Sequence, residues 1–440
     1  MNQSTILREV MCVKVKKFLW IAVMLLLVVT VSAQIELKFY YPVGVAGPLA
    51  RVIDYMCQQF NKENPEIKVV PVYSGNYDDT IQKVLTSVMA KNPPDIAVIE
   101  ISELYTLLAI DAIIPLDDYI AQEAPGFLDQ FWPGFLANSY AKGKIWAFPF
   151  QRSTPVLYWN KDLFKKKAKE LQEAGLDPNR APRTWYELVE YAKILTERKG
   201  TETLVYGLIL PGGWNDWIFE AFVRQNGSFL IDYEQKKVNF DSLEALQALI
   251  LWDRLTNELK VSPPLRPWET TVTDFVAGKA AMMYYSTGGL PTVRKTANFE
   301  FDVAFLPMHV QYGTPVGGGN FVVFKGISKE KQDAAWKFIK WITSPEWAAY
   351  WSRESGYVCV NKLGYELPEM KKFMDEFPQM WVAARQLQYA YPKMMAPNYQ
   401  QIRKIMTTNL DAVQQGKKSP KDALKDMQKQ IQAIVEQSKF

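Results

Sequence analysis

Side chains suited to binding a small polar molecule occur at predicted strand ends and polar turns of this 440-residue chain. Aromatic rings offer flat faces to a carbon skeleton, while serine, tyrosine and backbone N–H groups hold its oxygen atoms. The candidates are Tyr77, Glu100, Ser153, Trp214, Trp217, Ser286, Gly318, Tyr357 and Arg403. These residue types predict a binding site, with packing as the alternative role of the tryptophans and tyrosines.

Two of the candidates have the chemistry to hold an anion. Arg403, within Tyr399–Lys404, carries paired N–H donors that match two phosphate oxygens, or it is a solvated helix charge. Ser286 begins a Ser-Thr-Gly-Gly run before the predicted short helix Leu290–Arg294. Free backbone N–H groups there suit an anion, or the serine is a plain helix cap.

The common motifs of catalytic and cofactor sites are missing from the sequence. There is no phosphate-binding loop, dinucleotide fingerprint, zinc-protease motif or nucleophile elbow. The one histidine, His309, is predicted to lie at the surface, and no pair of cysteines has metal-ligand spacing. We therefore expect no enzyme, no cofactor and no metal, although the 47 acidic residues leave a glycosidase pair of carboxylates open.

Composition and charge favour an exported two-domain protein that does not bind nucleic acid. The chain is 48% hydrophobic, which is ample for two packed domains. Its net charge is +4, and the first 33 residues hold four basic residues against one acidic residue. The remainder is close to neutral, whereas nucleic-acid backbones select strongly basic surfaces.

The first 33 residues are predicted to be a signal peptide. Lys14, Lys16 and Lys17 precede the apolar run Phe18–Val31, and a small-residue cleavage site ends at Ala33. No cysteine follows the run closely, so we expect cleavage after Ala33 and a periplasmic protein without a lipid anchor. A signal anchor is the alternative, but the run is shorter than the roughly 20 residues of a membrane span.

The mature chain begins with alternating strands and helices. Strands are predicted at Ile35–Tyr41, Ile67–Tyr73 and Ile96–Ile99, and helices at Leu49–Asn61 and after Asp78 or Asp79. This alternation is typical of a mainly parallel sheet with helices on both faces. Ligands of such sheets bind at the carboxyl ends of the strands, where Tyr77 and Glu100 are found.

Two later stretches are predicted to cross between domains. Pro149–Asp162 is a polar bend that leads into the buried strand Val156–Trp159, and Val316–Asn320 forms a second, glycine-rich crossing. Gly212–Trp217 is predicted to be a loop that carries both candidate tryptophans. An ordinary junction between a loop and a strand is the alternative for the first crossing.

The segment Ser153–Leu188, STPVLYWNKDLFKKKAKELQEAGLDPNRAPRTWYEL, resembles the extracellular solute-binding proteins of ABC importers. Within that family it is most similar to the members that bind glycerol 3-phosphate. Further similarity covers Phe60–Tyr77, Ala112–Ile120, Asp274–Tyr285 and Gln401–Leu424. The resemblance implies a two-lobed type II periplasmic binding fold, in which each lobe is a mainly parallel sheet flanked by helices and joined by hinge strands.

The resemblance also implies a division of the chain and a mechanism. Residues 34–152 and 318–344 would form lobe one, and residues 153–317 and 345–440 would form lobe two. A monomer would capture its solute between the lobes, close about the hinge, and deliver the solute to membrane permease subunits and their ATPase.

The family's ligand residues match this sequence at most positions. They correspond to Tyr77, Ser153, Ser286, Gly317 or Gly318, Tyr357 and Arg403. Ile101 stands where the family has an acidic ligand, so Glu100 or Glu103 would substitute for it. Arg152 replaces a small polar residue, and the loop after Tyr41 lacks an acidic residue of the family.

Three functions remain open at this point. The first is a receptor for glycerol 3-phosphate or glycerophosphodiesters. The second is a sugar or oligosaccharide receptor of the same fold, favoured by the tryptophans of Gly212–Trp217. The third is a secreted carbohydrate-active enzyme.

Overall fold

A computed structural model describes residues 34–43 and 48–438 of the chain. The predicted signal peptide, residues 1–33, lies outside the described residues. Eight strands build the two largest sheets: β1 (Ile35–Tyr41), β2 (Ile67–Tyr73), β3 (Ile96–Glu100), β4 (Phe148–Ser153), β5 (Pro155–Asn160), β6 (Met282–Ser286), β7 (Phe301–Ala304) and β8 (Gly317–Val323).

Helices of eight residues or more surround these sheets. They are α1 (Pro48–Glu63), α2 (Tyr77–Met89), α3 (Trp185–Leu195), α4 (Asn215–Gln225), α5 (Leu243–Asp253), α6 (Trp268–Val276), α7 (Lys329–Ile342), α8 (Pro345–Ser355), α9 (Pro368–Glu376), α10 (Gln379–Gln386), α11 (Tyr399–Gln414) and α12 (Pro420–Gln437).

The first sheet has the strand order β2-β1-β3-β8-β4. Strands β1, β2 and β3 are parallel, as the sequence predicted, and β8 is antiparallel to β3 and β4. The rings of Phe39, Phe321 and Phe338 meet in its core, with Phe39 lying 5.5 Å from each of the other two. We assign this sheet and the helices packed against it to lobe one of the predicted division.

The second sheet differs from the predicted parallel arrangement. Strand β5 lies between β6 and β7 and is antiparallel to both. A strand that enters a lobe at the crossing runs away from the crossing. A strand whose carboxyl end faces the cleft runs toward the crossing, so the two strands are antiparallel. The segment Tyr206–Leu210 contributes isolated parallel bridges, which join Tyr206 to Ala280 and Ile209 to Met283.

The chain crosses between the sheets where the sequence predicts it. Strand β4 leads directly into β5 through Thr154, and every residue of both strands is buried. The returning chain pairs Thr314–Pro315 with Ala390–Tyr391 and then enters the first sheet as β8. The glycines of the predicted second crossing pair with β4, so they lie within a strand.

The division of the chain into lobes stays a prediction, but the contacts of α8 suggest a different boundary. Its residue Tyr350 lies 5.6 Å from Tyr55 of α1, ring to ring, and Trp351 stacks on Phe150 of β4 at 5.3 Å. We propose that α8 belongs to lobe one and that lobe two resumes near Gly356.

Neither a membrane-spanning helix nor a metal-binding cluster is found in the part of the chain that the structure describes. Among the described residues, no helix combines the length and apolar character needed to cross a membrane. The same residues contain no cluster of three or more histidine, cysteine or acidic side chains that could hold a metal ion. His309 is exposed and stacks on Trp185, with 4.5 Å between ring centroids.

Candidate functional site

Three helix N-termini carry the residues that meet between the lobes. Helix α2 of lobe one begins at Tyr77, and its cap Asn76 and Asp79 exchange hydrogen bonds in a capping box. Trp214 occupies the cap position of α4, and Arg403 lies in the first turns of α11. The predicted loop Gly212–Trp217 is thus wrong in its second half, because α4 begins at Asn215 and includes Trp217.

Trp214 is the centre of this cluster. The guanidinium carbon of Arg403 lies 3.5 Å from the centroid of its ring, and the Nζ atom of Lys393 lies 5.4 Å from it. Tyr77 contacts the same indole edge-on, with 6.2 Å between centroids. A cation over an indole face is attracted by the ring quadrupole, so Trp214 fixes the plane of the Arg403 fork.

The charge of Arg403 is compensated by aspartates from both lobes. Its Nη1 atom donates to both carboxylate oxygens of Asp78, at 2.8 and 3.0 Å, and its Nη2 atom donates to the Gly213 carbonyl at 3.1 Å. The Nε atom lies 3.6 Å from Asp216. Burial disfavours the charged guanidinium, but Asp216 and Asp78 outweigh it and raise the pKa of Arg403.

Asp78 and Arg403 form an ion pair between elements that are far apart in the sequence. Asp78 belongs to α2 of lobe one, and Arg403 belongs to α11 of lobe two, so their ion pair joins the two lobes. Gln400 donates to the backbone carbonyl of Asp78 at 3.3 Å and strengthens the same contact. The Asp78 side chain is 52% exposed, whereas that of Arg403 is 13% exposed.

A second ion pair lies deeper between the lobes. The Nζ atom of Lys393 is 3.1 Å from Glu100 and 3.9 Å from Asp216, and all three side chains are buried. Tyr399 donates to the Oδ2 atom of Asp216 at 3.0 Å, the same oxygen that Lys393 approaches. Glu100 is therefore already paired, and its second oxygen accepts from the backbone N–H of Ser102 at 2.9 Å.

Glu103 has a different environment from Glu100. It accepts a hydrogen bond from Thr106 at 2.7 Å, and burial raises its pKa to about 8. A carboxyl with this pKa is mainly protonated at neutral pH, so it is a neutral hydrogen-bonding group.

The crossing strands bring three further candidates close together: Ser153, Gly318 and Trp217. Ser153 pairs with Gly317, and Gly318 pairs with Arg152. Trp217 covers Gly317 and donates to the Val316 carbonyl at 3.2 Å. Trp217 is only 5% exposed, so its main role in this arrangement is packing against the crossing.

Tyr77 and Tyr357 meet above these strands. The Tyr77 hydroxyl donates to the side-chain oxygen of Gln151 at 3.0 Å. Burial raises the pKa of Tyr77 well above its usual value, and the neighbouring Tyr357 hydroxyl adds to the effect. Both phenols therefore remain protonated, and the Tyr77 proton is engaged with Gln151.

Ser286 lies at the end of β6, beside the first crossing. Its Oγ atom accepts from the Gly288 N–H at 3.1 Å, which is the cap role that the sequence left open. Its carbonyl accepts from the Tyr158 hydroxyl at 2.7 Å. The serine hydroxyl proton remains available to a solute in this geometry.

The structure thus joins Tyr77, Trp214 and Arg403 directly and places the other candidates around the crossings. Three important residues were missed from the sequence: Asp78, Asp216 and Lys393. Asp78 was considered only as a helix cap, and Asp216 lies in the stretch that was predicted to be a loop. Lys393 follows a proline in a stretch without periodicity, so no local signal could have identified it.

Comparisons with known proteins agree with this architecture. A family model described as "Bacterial extracellular solute-binding protein" matches residues 55–378. The sn-glycerol-3-phosphate-binding periplasmic protein UgpB of Escherichia coli O1:K1 is 30% identical over 430 residues, which cover 92% of this chain and 93% of that protein. UgpB of Salmonella typhimurium is 31% identical and covers 87% of this chain and 88% of its own length.

Solved structures confirm the two-lobed fold predicted from the sequence. UgpB from Mycobacterium tuberculosis, in complex with glycerophosphocholine, has a TM-score of 0.79 and 21% identity, and covers 91% of this chain and 98% of its own. The cyclic alpha-maltosyl-1,6-maltose binding protein from Arthrobacter globiformis has a TM-score of 0.76 and 21% identity, with coverage of 91% and 99%.

Proposed function

The chain belongs to the bacterial extracellular solute-binding proteins, and we propose that its solute is glycerol 3-phosphate or a glycerophosphodiester. It is the binding component of an ABC importer, so the predicted enzymatic alternative is discarded. Two relatives at 30 and 31% identity are named for binding glycerol 3-phosphate, which supports this choice of solute.

One structural observation carries the proposal. The Arg403 guanidinium lies over the Trp214 ring, and its Nη1 atom donates to a carboxylate from the opposite lobe. A planar fork of this kind binds two oxygens of a carboxylate or a phosphate equally well. A phosphate that enters between the lobes would replace Asp78 and join the lobes through the same arginine.

The rest of the site suits the glycerol part and the remaining phosphate oxygens. The hydroxyls of Tyr77, Tyr357 and Ser286 surround the crossing, and the backbone near Gly318 adds N–H donors. Binding would draw the lobes together about the crossing strands, and the closed form would deliver the solute to the permease subunits and their ATPase.

A sugar receptor is the second candidate, and the aromatic side chains near the crossing favour it. Trp268 stacks on Tyr285 at 4.1 Å between centroids and lies 6.3 Å from Trp217. However, Arg403 covers one face of Trp214, and Trp217 is almost completely buried. Little indole surface is left for a sugar ring at this position.

The proposed setting of this function is the periplasm. Lys14–Ala33 would direct export and be cleaved after Ala33, and the mature protein would have no lipid anchor. It would act as a monomer that contacts its permease when loaded. The family's extracellular character supports export, while the cleavage point rests on the sequence pattern alone.

Asp78→Asn should strengthen the binding of glycerol 3-phosphate by about threefold to tenfold. The change removes the carboxylate that competes for Arg403. The expected gain in affinity is modest, because Asp78 is half exposed and solvent screens its charged hydrogen bonds. Calorimetric titration of glycerol 3-phosphate into wild type and variant measures the difference. The exposed Asp118→Asn provides a matched control that removes the same charge from lobe one.

Two results would contradict this account. Equal or weaker binding by Asp78→Asn would show that Asp78 does not compete with the solute. No binding by either protein would remove glycerol 3-phosphate from consideration.

A further inference from the structure

A cavity lies between the lobes, separate from the cluster around Trp214. The buried Lys393 lies between Trp214 and this cavity. The cavity has a volume of about 480 Å³ and is lined by both lobes. Tyr105, Ala137 and Tyr140 come from lobe one, and Glu220, Arg224 and Tyr233 face them from lobe two. None of the nine candidate site residues lines it. Its size is within the range of small-molecule sites.

Two polar groups on the wall of this cavity are buried without a partner. The Oε2 atom of Glu220 and the hydroxyl of Tyr233 have no hydrogen-bond partner, although both residues are more than nine-tenths buried. The other oxygen of Glu220 accepts from the Met394 N–H at 2.8 Å, so the carboxyl is held in place. Buried polar groups are rarely left unsatisfied, so these two groups are candidate hydrogen-bonding partners for a molecule in the cavity.

The side chains around the cavity are aromatic and balanced in charge. Tyr105 and Tyr233 meet edge-on with 4.7 Å between centroids. Arg224 lies over Tyr391 at 5.1 Å, and Lys393 adds a second positive charge. The carboxylates of Asp232 and Glu234 line the same cavity and balance these two positive charges.

Burial raises the pKa of Glu220 to about 8, despite the opposing effect of Lys393. Its carboxyl is therefore mainly neutral at pH 7, where it both donates and accepts hydrogen bonds. An organic cation placed here would be repelled by Arg224 and Lys393, and an anion would be repelled by Asp232 and Glu234. The wall thus favours a ligand without charge.

We propose that this cavity is a second binding site, for a neutral sugar or cyclic polyol of one or two rings. Glu220 and Tyr233 would each bind a ligand hydroxyl, and the neighbouring tyrosines would contact the apolar face of a ring. Tyr105 of lobe one donates to Glu234 of lobe two at 2.9 Å, so a ligand here would also bridge the lobes. The proposal does not depend on the solute of the Arg403 site.

Calorimetric titration of maltose and of myo-inositol at millimolar concentration tests the proposal. At least one of the two should bind wild type. Ala137→Phe should abolish this binding, because the new ring fills the cavity from lobe one. Glu220→Leu should weaken it by about twofold to tenfold, since the hydrogen bond of a mainly neutral carboxyl is lost, whereas Glu220→Gln should restore most of it.

Titration of glycerol 3-phosphate into the same variants separates the two sites. Arg403→Ala should leave the binding of maltose or myo-inositol unchanged, and Ala137→Phe should leave the binding of glycerol 3-phosphate unchanged. Several results would overturn the proposal: no binding of either probe, binding that survives Ala137→Phe and Glu220→Leu together, or choline binding in place of both probes.

Discussion

Arg403→Ala should weaken the binding of glycerol 3-phosphate by about tenfold to more than a hundredfold. A hydrogen bond to a charged group contributes roughly 1.5–3 kcal/mol, and about 1.4 kcal/mol corresponds to a tenfold change in affinity. Arg403 is the cation that pairs with Asp78 at the lobe contact, and it lies over the Trp214 ring. The change also leaves Asp78 and Asp216 without their shared cation, so both would repel an incoming phosphate.

Two further variants show whether the fork geometry matters. Arg403→Lys should recover only part of the affinity, because an ammonium is a point charge without paired N–H donors. Arg254→Ala is the matched control, since Arg254 is half exposed and pairs with Glu258 on the surface. Calorimetric titration measures all three variants. Undiminished binding by Arg403→Ala would contradict the proposed role of the arginine.

Gly318→Ala should lower the free energy of unfolding by about 2–5 kcal/mol. Gly318 has a φ of +96°, and a Cβ atom there would overlap the carbonyl oxygen of Gln151 on the neighbouring crossing strand. The left-handed conformation costs roughly 1–2 kcal/mol for other residues, and a steric clash adds about 1–3 kcal/mol. Since β4 and β8 are both crossing strands, the damage falls on the hinge.

Gly143→Ala separates these two costs. Gly143 has a φ of +71°, but no heavy atom lies within 4 Å of the added Cβ. We expect this control to lose only the conformational part, about 1–2 kcal/mol. Urea denaturation followed by tryptophan fluorescence gives both values. Equal losses in the two variants would show that the backbone clash at Gly318 is relieved at little cost.

Local sequence patterns predicted the elements and the crossings well. The run Val156–Trp159 lies within β5, and Thr184 caps α3 as its hydroxyl accepts from the Glu187 N–H at 3.1 Å. Such features depend on neighbours in the sequence. The start of α4 was missed because Gly212, Gly213 and the polar pair that follows Trp214 are typical of a loop.

Contacts between distant parts of the chain were beyond the reach of these patterns. Asp78 and Arg403 are 325 positions apart, and Glu100 and Lys393 are 293 apart. Periodicity and capping signals contain no information about such pairs, because they arise only when two lobes meet. The choice of Arg403 rested on a family resemblance, whereas its aspartate partners became evident only from the structure.

Mass spectrometry of the natively purified protein tests the central claim most directly. Gentle ionisation preserves bound solutes, and a second measurement after unfolding identifies the released molecule. We predict a phosphate ester of glycerol, such as glycerol 3-phosphate or a glycerophosphodiester, bound to wild type and absent from Arg403→Ala. A neutral sugar as the sole bound solute, retained equally by Arg403→Ala, would contradict the account.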